Sequence, residues 1–361
     1  MKLVLHASTF VDYSSSLAEA LLKNGRFVKI CLTVDNSVHE RTRCLNRKSV
    51  EGWTAKYVQI QNLGVNLFHL SGRRTSPISI AAVYKSFVSN RNIQIDVLHL
   101  QNSTDPRFIL TALKFPTVLT LHEPKIRQGA KQASPIVNRT IAGITDFVLR
   151  KVSDLIIVHT MSCFEMLSAK EKEKARVIPH GIYESYLPVA PREGKCILLF
   201  GRADEYKGIQ ILLMAMKEVW KFDETVKLRI LASRGNYRFP TDLDPRIFVT
   251  EDGYTEEELD TAILNSYVVC LPYTSVSGSG VAGRAAGSGR PIVASDLNGL
   301  RELVDDEELR FISGDAKDLA RALKVALNKE PHVVAVNSLM TWNEVANAHL
   351  ALYESLSEEQ R

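Results

Sequence analysis

Residues 195–222, "KCILLFGRADEYKGIQILLMAMKEVWKF", join a continuous apolar run to an amphipathic pattern. A short apolar run predicts a buried strand, and apolar residues at helical spacing predict a helix that follows it. A strand followed closely by a helix is the repeating unit of a parallel sheet with helices on its faces. The chain also starts with this pattern, because "KLVLHAS" is followed by "SSSLAEALLKNG". The unit therefore begins twice, which predicts two α/β domains.

The chain divides in a polar, proline-containing segment, "GIYESYLPVAPREGK", near residues 181–195. Apolar runs and helical patterns alternate on both sides of it, and no repeat of about 20–50 residues indicates a solenoid. The length of 361 residues is typical of two domains. We predict two doubly wound, Rossmann-like domains facing each other across a cleft.

Composition narrows the class of protein. Hydrophobic residues make up 45% of the chain and charged residues 24%, which is the balance of a soluble protein with substantial cores. No apolar run reaches the roughly 18 residues that a membrane span needs. The N-terminal residues resemble a first strand more than a signal peptide. The five cysteines are scattered without a CxxC motif, which favours reduced thiols in the cytoplasm over disulfides or a zinc site.

The net charge of +4 hides an asymmetry between the two halves. Residues 1–185 contain 25 Lys and Arg against 14 Asp and Glu, whereas residues 186–361 contain 20 against 27. A basic half and an acidic half indicate surfaces with different partners, although chance drift between domains would also produce this difference.

The segment "FGRADEYKG", residues 200–208, places two cations between a predicted strand and its helix. Ligands of such sheets bind beyond the carboxyl ends of the strands, and a helix start offers free N–H groups. Arg202 and Lys207 there would form a clamp for a diphosphate in an open cleft. The alternative is a solvated loop. Other residues that follow predicted strands are His122, Thr160, His180, Gly253 and Asp296; we interpret His159 and His180 as structural.

Residues 275–296, "SVSGSGVAGRAAGSGRPIVASD", contain a glycine-rich loop after another predicted strand. "GSGVAG" matches the dinucleotide fingerprint G-x-G-x-x-G, but it comes late in the chain, and the acidic strand end at Asp296 follows too soon. A nicotinamide enzyme stays a minor alternative. The bare backbone around Ser279, Gly280 and Val281 could still bind phosphate or sugar oxygens.

Taken together, these motifs resemble the retaining glycosyltransferases of family 4, which have GT-B architecture. The likeness lies in "ILLFGRADEYKGIQILLMAM", "ARVIPHG" and "LPYTSVSGSGVAGRAAGSGRPIVASDLNGLRELV", and less closely in "VLTLHE", "DVLHLQ" and "DLIIVHT" of the first half. "MTWNEVANAHLALYESL" resembles the helix that crosses back to the first domain. The resemblance implies an acceptor-binding domain over 1–185, a nucleotide-sugar domain over 186–340 and a closing helix over 341–361.

The resemblance also implies roles for individual residues. His122, Arg202 and Lys207 would be catalytic, with His122 close to the donor sugar. Asp12 and Thr160 are candidates on the acceptor side. Donor-binding candidates are Gly201, Gly253, Tyr254, Gly278, Ser279, Gly280, Val281, Arg284 and Glu302.

One departure from the family concerns two glutamates, eight positions apart, that many members have. Their places fall at Val276 and Arg284 in this chain. The "SGV" of the loop resembles a subgroup of the family that has Ser-Gly-Val at this point. Because an arginine can only donate hydrogen bonds, Arg284 would contact ribose oxygens or a phosphate, or would pair with Glu302 or Asp296.

The resemblance implies metal-independent, retaining sugar transfer from a nucleotide-diphosphate sugar to a glycan or lipid-linked glycan, in polysaccharide or glycolipid synthesis. No cofactor and no nucleic acid are expected. The "DLD" motif at 242–244 is a weak metal candidate. The alternative function is a non-catalytic glycosyltransferase-like partner or glycan-binding subunit.

A basic segment on the first domain predicts peripheral attachment to an anionic membrane on its cytoplasmic face. A solvated helix face without a partner is the alternative. The cations of this segment are Arg107, Lys114, Lys125, Arg127, Lys131, Arg139, Arg150 and Lys151.

Overall fold

The computed structural model describes twelve stretches of the chain, and the statements below concern these residues. The stretches are 1–7, 11–24, 29–35, 47–70, 75–89, 95–101, 103–124, 136–182, 194–275, 280–287, 289–329 and 340–358.

The first sheet has seven parallel strands in the order β3-β2-β1-β4-β5-β6-β7. These strands are β1 (Lys2–Ala7), β2 (Lys29–Asp35), β3 (Asn66–Leu70), β4 (Val97–Leu100), β5 (Thr117–Thr120), β6 (Leu155–Val158) and β7 (Ala175–Val177). The α-helices between them are α1 (Val11–Lys23), α2 (Arg47–Asn62), α3 (Pro77–Ser89), α4 (Ile109–Ala112), α5 (Ile136–Val152), α6 (Met161–Glu165) and α7 (Ala169–Glu173).

The second sheet has six parallel strands in the order β11-β10-β9-β12-β13-β14. Two-residue strands β8 and β15 pair separately. The strands are β8 (Gly181–Ile182), β9 (Cys196–Arg202), β10 (Lys227–Ser233), β11 (Ile247–Thr250), β12 (Val268–Leu271), β13 (Ile292–Ser295), β14 (Arg310–Phe311) and β15 (Met340–Thr341). The α-helices are α8 (Ile209–Phe222), α9 (Glu256–Asn265), α10 (Gly280–Ala286), α11 (Asn298–Arg301), α12 (Ala316–Asn328) and α13 (Trp342–Glu358).

The segment with which the sequence analysis began forms β9 and α8. The first six residues of β9 are buried, and the helix buries its apolar residues at helical spacing. The predicted capping box starts α9, because Thr255 and Glu258 exchange side-chain to backbone hydrogen bonds. These contacts satisfy amide groups that a helix start leaves open. Local sequence thus fixes both the strand–helix unit and its ends.

Each sheet has its own hydrophobic core. One core fills the second domain, and two cover the opposite faces of the first sheet. Helix α13 packs against α1, and Val345, Leu350 and Tyr353 belong to the core of the first domain. The α/β class, the two domains and the returning C-terminal helix are confirmed. The predicted division at 185/186 lies outside the described residues and stays a prediction.

The two domains also touch through polar contacts. Lys48 of α2 donates to Glu258 of α9 at 2.8 Å. Glu302, next to α11, accepts from the backbone N–H groups of Met161 and Ser162 at 3.2 and 3.1 Å. The carboxyl ends of the two sheets thereby enclose one cleft.

Candidate active site

Arg202 is the last residue of β9, and its side chain is 63% exposed. Its Nε donates to Oδ2 of Asp204 at 2.5 Å. Burial acts to lower the pKa of Arg202, but this hydrogen bond and the charge of Asp204 outweigh it and raise the pKa. The charge of Glu123, next to His122 in the first domain, acts in the same direction. The guanidinium is therefore a permanent cation that faces the cleft.

Lys207 ends a short 3-10 turn, Glu205–Lys207, and is only 4% exposed. Its Nζ donates to the hydroxyl of Tyr273 at 2.6 Å and lies 3.9 Å from the centre of that ring. The expectation that both cations lie in an open cleft is thus wrong for Lys207. Gly208 follows with φ of 68°, and a Cβ there would lie 1.7 Å from the carbonyl oxygen of Pro272. Only glycine lets the turn approach β12 this closely.

These groups gather where the strand order of the second sheet reverses. From β9 the chain continues to β10 on one side, and from the neighbouring strand β12 it continues to β13 on the other side, so the winding reverses between β9 and β12. Such a switch point is the usual ligand crevice of a doubly wound sheet. Gly235 and Asn236 follow β10 and line this crevice. The Asn236 side chain accepts from the Glu205 N–H at 2.9 Å. A Cβ at Gly235 would lie 2.0 Å from the Ala203 carbonyl oxygen, so the two loops are in close contact.

The sequence analysis missed Asp204, Tyr273 and Asn236 at this crevice. The signal for Asp204 was its place two residues after Arg202 in "GRAD". For Tyr273 and Asn236 the signal was their position just after a strand. Their contacts with the clamp join residues that are distant in sequence.

The predicted donor loop is described from Gly280 onward, where α10 begins; Val281 lies in its first turn. Gly278 and Ser279 lie outside the described residues. Gly201 directly precedes Arg202 within β9, and Gly253 follows β11; both have positive φ angles.

Arg284, on α10, is 8% exposed and bonded to two carboxylates of α9. Its Nη1 lies 2.5 Å from Oε2 of Glu256, and its Nη2 donates to Asp260. We expected pairing with Glu302 or Asp296, and the structure gives different partners; Asp296 pairs with Arg301. The guanidinium is thus committed to joining α10 to α9.

Asp12, at the start of α1, faces the second domain near Arg284. Its side chain keeps contact with solvent, yet desolvation in the cleft and the charge of Glu256 raise its pKa to about 6, against the opposing charges of Lys56 and Arg284. Tyr254 lies in the same group, where burial and the charge of Asp12 raise its pKa. This acceptor-side candidate therefore carries a carboxyl group that can change its protonation state near neutral pH.

Thr160 and Glu302 both accept hydrogen bonds from backbone N–H groups at the start of α6. The Thr160 side chain caps the helix by accepting from the Cys163 N–H at 3.0 Å. Glu302 accepts from the next two backbone amides, as described above. In this conformation Glu302 therefore holds the two domains together, and Thr160 has a structural contact.

His122 follows β5 and is 5% exposed. Its Nε2 lies 2.9 Å from Oε1 of Gln101, and its Nδ1 lies 3.0 Å from Nε2 of His159. Burial, followed by the neighbouring His159 and His180, holds the pKa of His122 well below its usual range. The ring is neutral at physiological pH, and both of its nitrogens have protein partners, so one of them must be released before the ring can orient a hydroxyl or phosphate group.

In the "DLD" motif, the carboxylate of Asp244 is already paired. Both carboxylate oxygens of Asp244 accept from Arg246, at 2.8 and 2.7 Å, and this hydrogen bonding lowers the pKa of Asp244 to about 2. Within the described stretches, the group with metal-ligand geometry is instead His122, His159 and His180.

Fewer cations of the basic segment are exposed on the first domain than the sequence indicated. Arg107 is fully buried and bonded to Asp35 and Asp105. Arg150 is 16% exposed and paired with Asp146 and Glu171. Lys114 and Lys151 are exposed. The side chains of Lys125, Arg127, Lys131 and Arg139 lie outside the described part of the chain.

Exposed apolar side chains lie near these cations. Ile144 and Phe147, three residues apart on α5, are 59% and 67% exposed. Helix α4 contacts α5. Leu110 of α4 is 40% exposed, and Leu113, which directly follows that helix, is 62% exposed. Of the helices described, none is both long and apolar enough to cross a bilayer.

Comparison with known proteins supports a sugar-transfer role for the second domain. Residues 194–329 match the family model described as Glycosyl transferases group 1. The phosphatidyl-myo-inositol mannosyltransferase of Mycobacterium leprae is 26% identical over 284 residues, which cover 73% of this chain and 74% of that protein. The matched segment contains the Arg202 clamp and α10.

Solved structures share the whole fold. A glycosyltransferase from Rickettsia africae superposes with a TM-score of 0.70 at 12% identity, covering 98% of both chains. HepE of Anabaena, solved in complex with UDP, gives a TM-score of 0.69 at 14% identity over 98% of this chain and 100% of that one. At these identities the likeness concerns the fold, which is GT-B. With the family match, the chain is a glycosyltransferase of GT-B type.

Proposed function

We propose that this chain is a retaining glycosyltransferase of family 4 that moves a sugar from a nucleotide-diphosphate sugar to a glycan or lipid-linked glycan. One observation carries the proposal: two cations, Arg202 and Lys207, lie on the loop that follows β9 at the switch point of the domain that matches the glycosyltransferase model. The mycobacterial relative is named for mannose transfer to a phosphatidylinositol, and this supports a lipid-linked acceptor.

The chemistry centres on the leaving group. Departure of a nucleoside diphosphate develops negative charge, and preorganised cations stabilise that charge most where water is excluded. Arg202 and Lys207 would supply this stabilisation. The acceptor would attack from the leaving-group face, and a donor phosphate oxygen would take its proton. Such a reaction needs no protein nucleophile. The resemblance assigns neutral His122 to the sugar, which requires one ring nitrogen to leave its partner, Gln101 or His159.

The donor is tested by titration calorimetry and product analysis with a panel of UDP-, GDP- and other activated sugars. We expect one nucleotide class to bind and its sugar to be transferred with its anomeric configuration retained. Binding without transfer to any glycan or lipid-linked acceptor would favour the non-catalytic alternative. Absence of binding across the panel would overturn the proposal.

We also propose that the diphosphate clamp needs no metal ion, since its two cations take the role of a divalent ion. Transfer should therefore continue in excess EDTA. The measurement is the initial rate with and without chelator. Loss of activity that manganese restores would contradict this expectation and point to an oxygen-ligand site, because carboxylates suit manganese.

Peripheral membrane attachment through α4 and α5 is part of the proposal. Cations near an anionic surface contribute about 1 kcal/mol each, and burial of an exposed phenylalanine contributes about 1.5–3 kcal/mol. We expect the protein to sediment with anionic liposomes at low salt, to leave them as salt rises, and to ignore neutral ones.

Phe147→Ser should weaken this sedimentation by about tenfold or more. Phe248→Ser is the matched control, since Phe248 is 52% exposed on β11 of the other domain and should not matter. Equal binding to both liposome types, or to neither, would argue for a soluble acceptor.

A further inference from the structure

Three imidazoles meet at the carboxyl ends of three neighbouring strands. His122, His159 and His180 follow β5, β6 and β7, which are adjacent in the first sheet. Each offers a ring nitrogen, and the three nitrogens lie within 4.8 Å of one another. Because the strands are parallel, their ends bring the three rings to one edge of the sheet.

The hydrogen bond of His159 to the backbone fixes its tautomer. Its Nδ1 lies 2.9 Å from the carbonyl oxygen of Ile178, and a carbonyl can only accept. Nδ1 therefore carries the proton. In the neutral ring, Nε2 then has a lone pair. That lone pair points at Nδ1 of His122, 3.0 Å away.

The same reasoning applies to His122. Its Nε2 lies 2.9 Å from the amide oxygen of Gln101, which also only accepts. Nε2 then carries the proton of the neutral ring, and Nδ1 has a lone pair as well. Two lone pairs thus face each other at 3.0 Å, and a cation bound to both nitrogens from beside the pair would turn this repulsion into attraction.

Turning the Gln101 amide over gives the alternative arrangement. Its NH2 group would then donate to His122, whose Nδ1 could donate to His159. His99, 3.1 Å from Gln101 on the other side, can meet either end of the amide because its tautomer can change. The turned amide satisfies both nitrogens of His122 without a metal, so metal binding requires the orientation in which the Gln101 oxygen faces His122.

His180 supplies the third nitrogen. Its ring centre lies 4.0 Å from that of His159, and its nitrogens have no hydrogen-bond partner within the described residues. The residue is half-buried, which leaves a route for an ion from solvent. The ring of Tyr13 lies 4.9, 5.1 and 5.0 Å from the three imidazoles, so it closes the other side.

We propose that His122, His159 and His180 bind one transition-metal ion of the zinc type. Three neutral imidazoles suit zinc, nickel or copper, whereas magnesium, calcium and manganese prefer oxygen ligands. A ligating histidine normally donates its other N–H to a carbonyl or carboxylate, and Ile178 and Gln101 provide such oxygens. In a tetrahedral zinc site with bonds of about 2.0–2.1 Å, the nitrogens lie about 3.3 Å apart. The 3.0 Å pair of His122 and His159 would open slightly, and the wider distances, up to 4.8 Å, would close.

The site has consequences for α10. Gly283 of that helix lies over His180, since a Cβ at Gly283 would be 3.1 Å from the His180 Cβ. His180 is therefore close to the helix that follows the predicted donor loop. The proposal does not depend on sugar transfer, because its evidence is the arrangement of the three rings and their hydrogen bonds.

The test is a titration of chelator-treated protein with cobalt(II). Its visible absorption reports binding in a four-coordinate site. We expect one ion per chain, displaced by zinc. His180→Asn should weaken binding by about 100-fold or more, and Gln101→Ala by about 10–100-fold. His180 has no hydrogen bond to lose among the described residues, so folding, checked by circular dichroism, should persist.

His69→Asn is the matched control, because His69 is an exposed histidine on β3. It should bind cobalt as the parent protein does. The proposal is overturned if no visible band appears, if His180→Asn binds with unchanged affinity, or if His69→Asn loses binding equally.

Discussion

Arg202→Ala should lower the turnover number about 100-fold or more, the effect of removing one group that stabilises transition-state charge. The side chain ends β9 at the switch point and is mostly exposed, so its contribution to folding is small. Its recorded ion pair is with Asp204, and an exposed pair of this kind contributes about 1 kcal/mol or less. Steady-state kinetics with the donor found in the panel give the turnover number.

Arg246→Ala is a matched control for this substitution. Arg246 is also partly exposed in the second domain, and it also pairs with an aspartate two residues away, Asp244. It lies beside β11, at the outer edge of the sheet, not at the switch point. Its activity should stay within about twofold of the parent, since surface changes distant from a site have small effects. Normal turnover of Arg202→Ala would remove the diphosphate assignment.

Lys207 is a less clean probe of the same clamp. Its ammonium is buried against Tyr273, so Lys207→Ala removes a hydrogen bond and a cation–π contact together with the charge. Such a change lowers the free energy of unfolding as well as the rate. The burial of Lys207, in contrast to the exposure of Arg202, could not be predicted from the local sequence, because Tyr273 comes 66 residues later in the chain.

Local patterns were sufficient for the fold because each element carries its own signal. The apolar run of β9, the helical spacing of α8 and the Thr255–Glu258 cap predict their structure without any distant contact. β8 and β15, of two residues each, gave no such signal. They form only because residues 340–341 return to residues 181–182.

For the site, sequence predicted which residues lie at strand ends but not what their side chains touch. Arg107 appeared as a surface cation, yet it is buried with Asp35, which lies 72 residues earlier. His159 and His180 were interpreted separately as structural, and their convergence on His122 depends on the pairing of β5, β6 and β7. Ion pairs and ring clusters are properties of tertiary packing, so a single chain's local pattern does not contain them.

Arg284→Glu should destabilise the protein by about 3 kcal/mol, although many members of the family that this chain resembles have a glutamate here. The introduced carboxylate would lie where Arg284 now meets Glu256 and Asp260, with Asp12 close by. Breaking a buried ion pair costs about 3–5 kcal/mol, and we take the lower end because the two partner carboxylates are two-fifths exposed. Urea unfolding monitored by circular dichroism measures the change.

The pH dependence of the stability lost in Arg284→Glu should identify the cause of that loss. Neighbouring carboxylates would raise the pKa of the introduced glutamate in the folded variant, so stability is present while that group is protonated and is lost as pH rises through its pKa. Arg284→Glu should therefore approach the stability of the parent protein towards pH 5. Adding Glu256→Gln and Asp260→Asn should restore much of the stability at pH 7, since both repelling charges are then gone.

Arg301→Glu is the matched control for Arg284→Glu. Arg301 is half exposed and pairs with Asp296 on the surface of the same domain. Its loss should cost about 1 kcal/mol or less. If Arg284→Glu were instead as stable as the parent and more active, the glutamate would be functional here, and the contact of α10 with α9 would be incidental. If it is unstable and rescued by the two neutralising changes, Arg284 replaces the family's glutamate as a structural cation that holds the donor loop's helix in place.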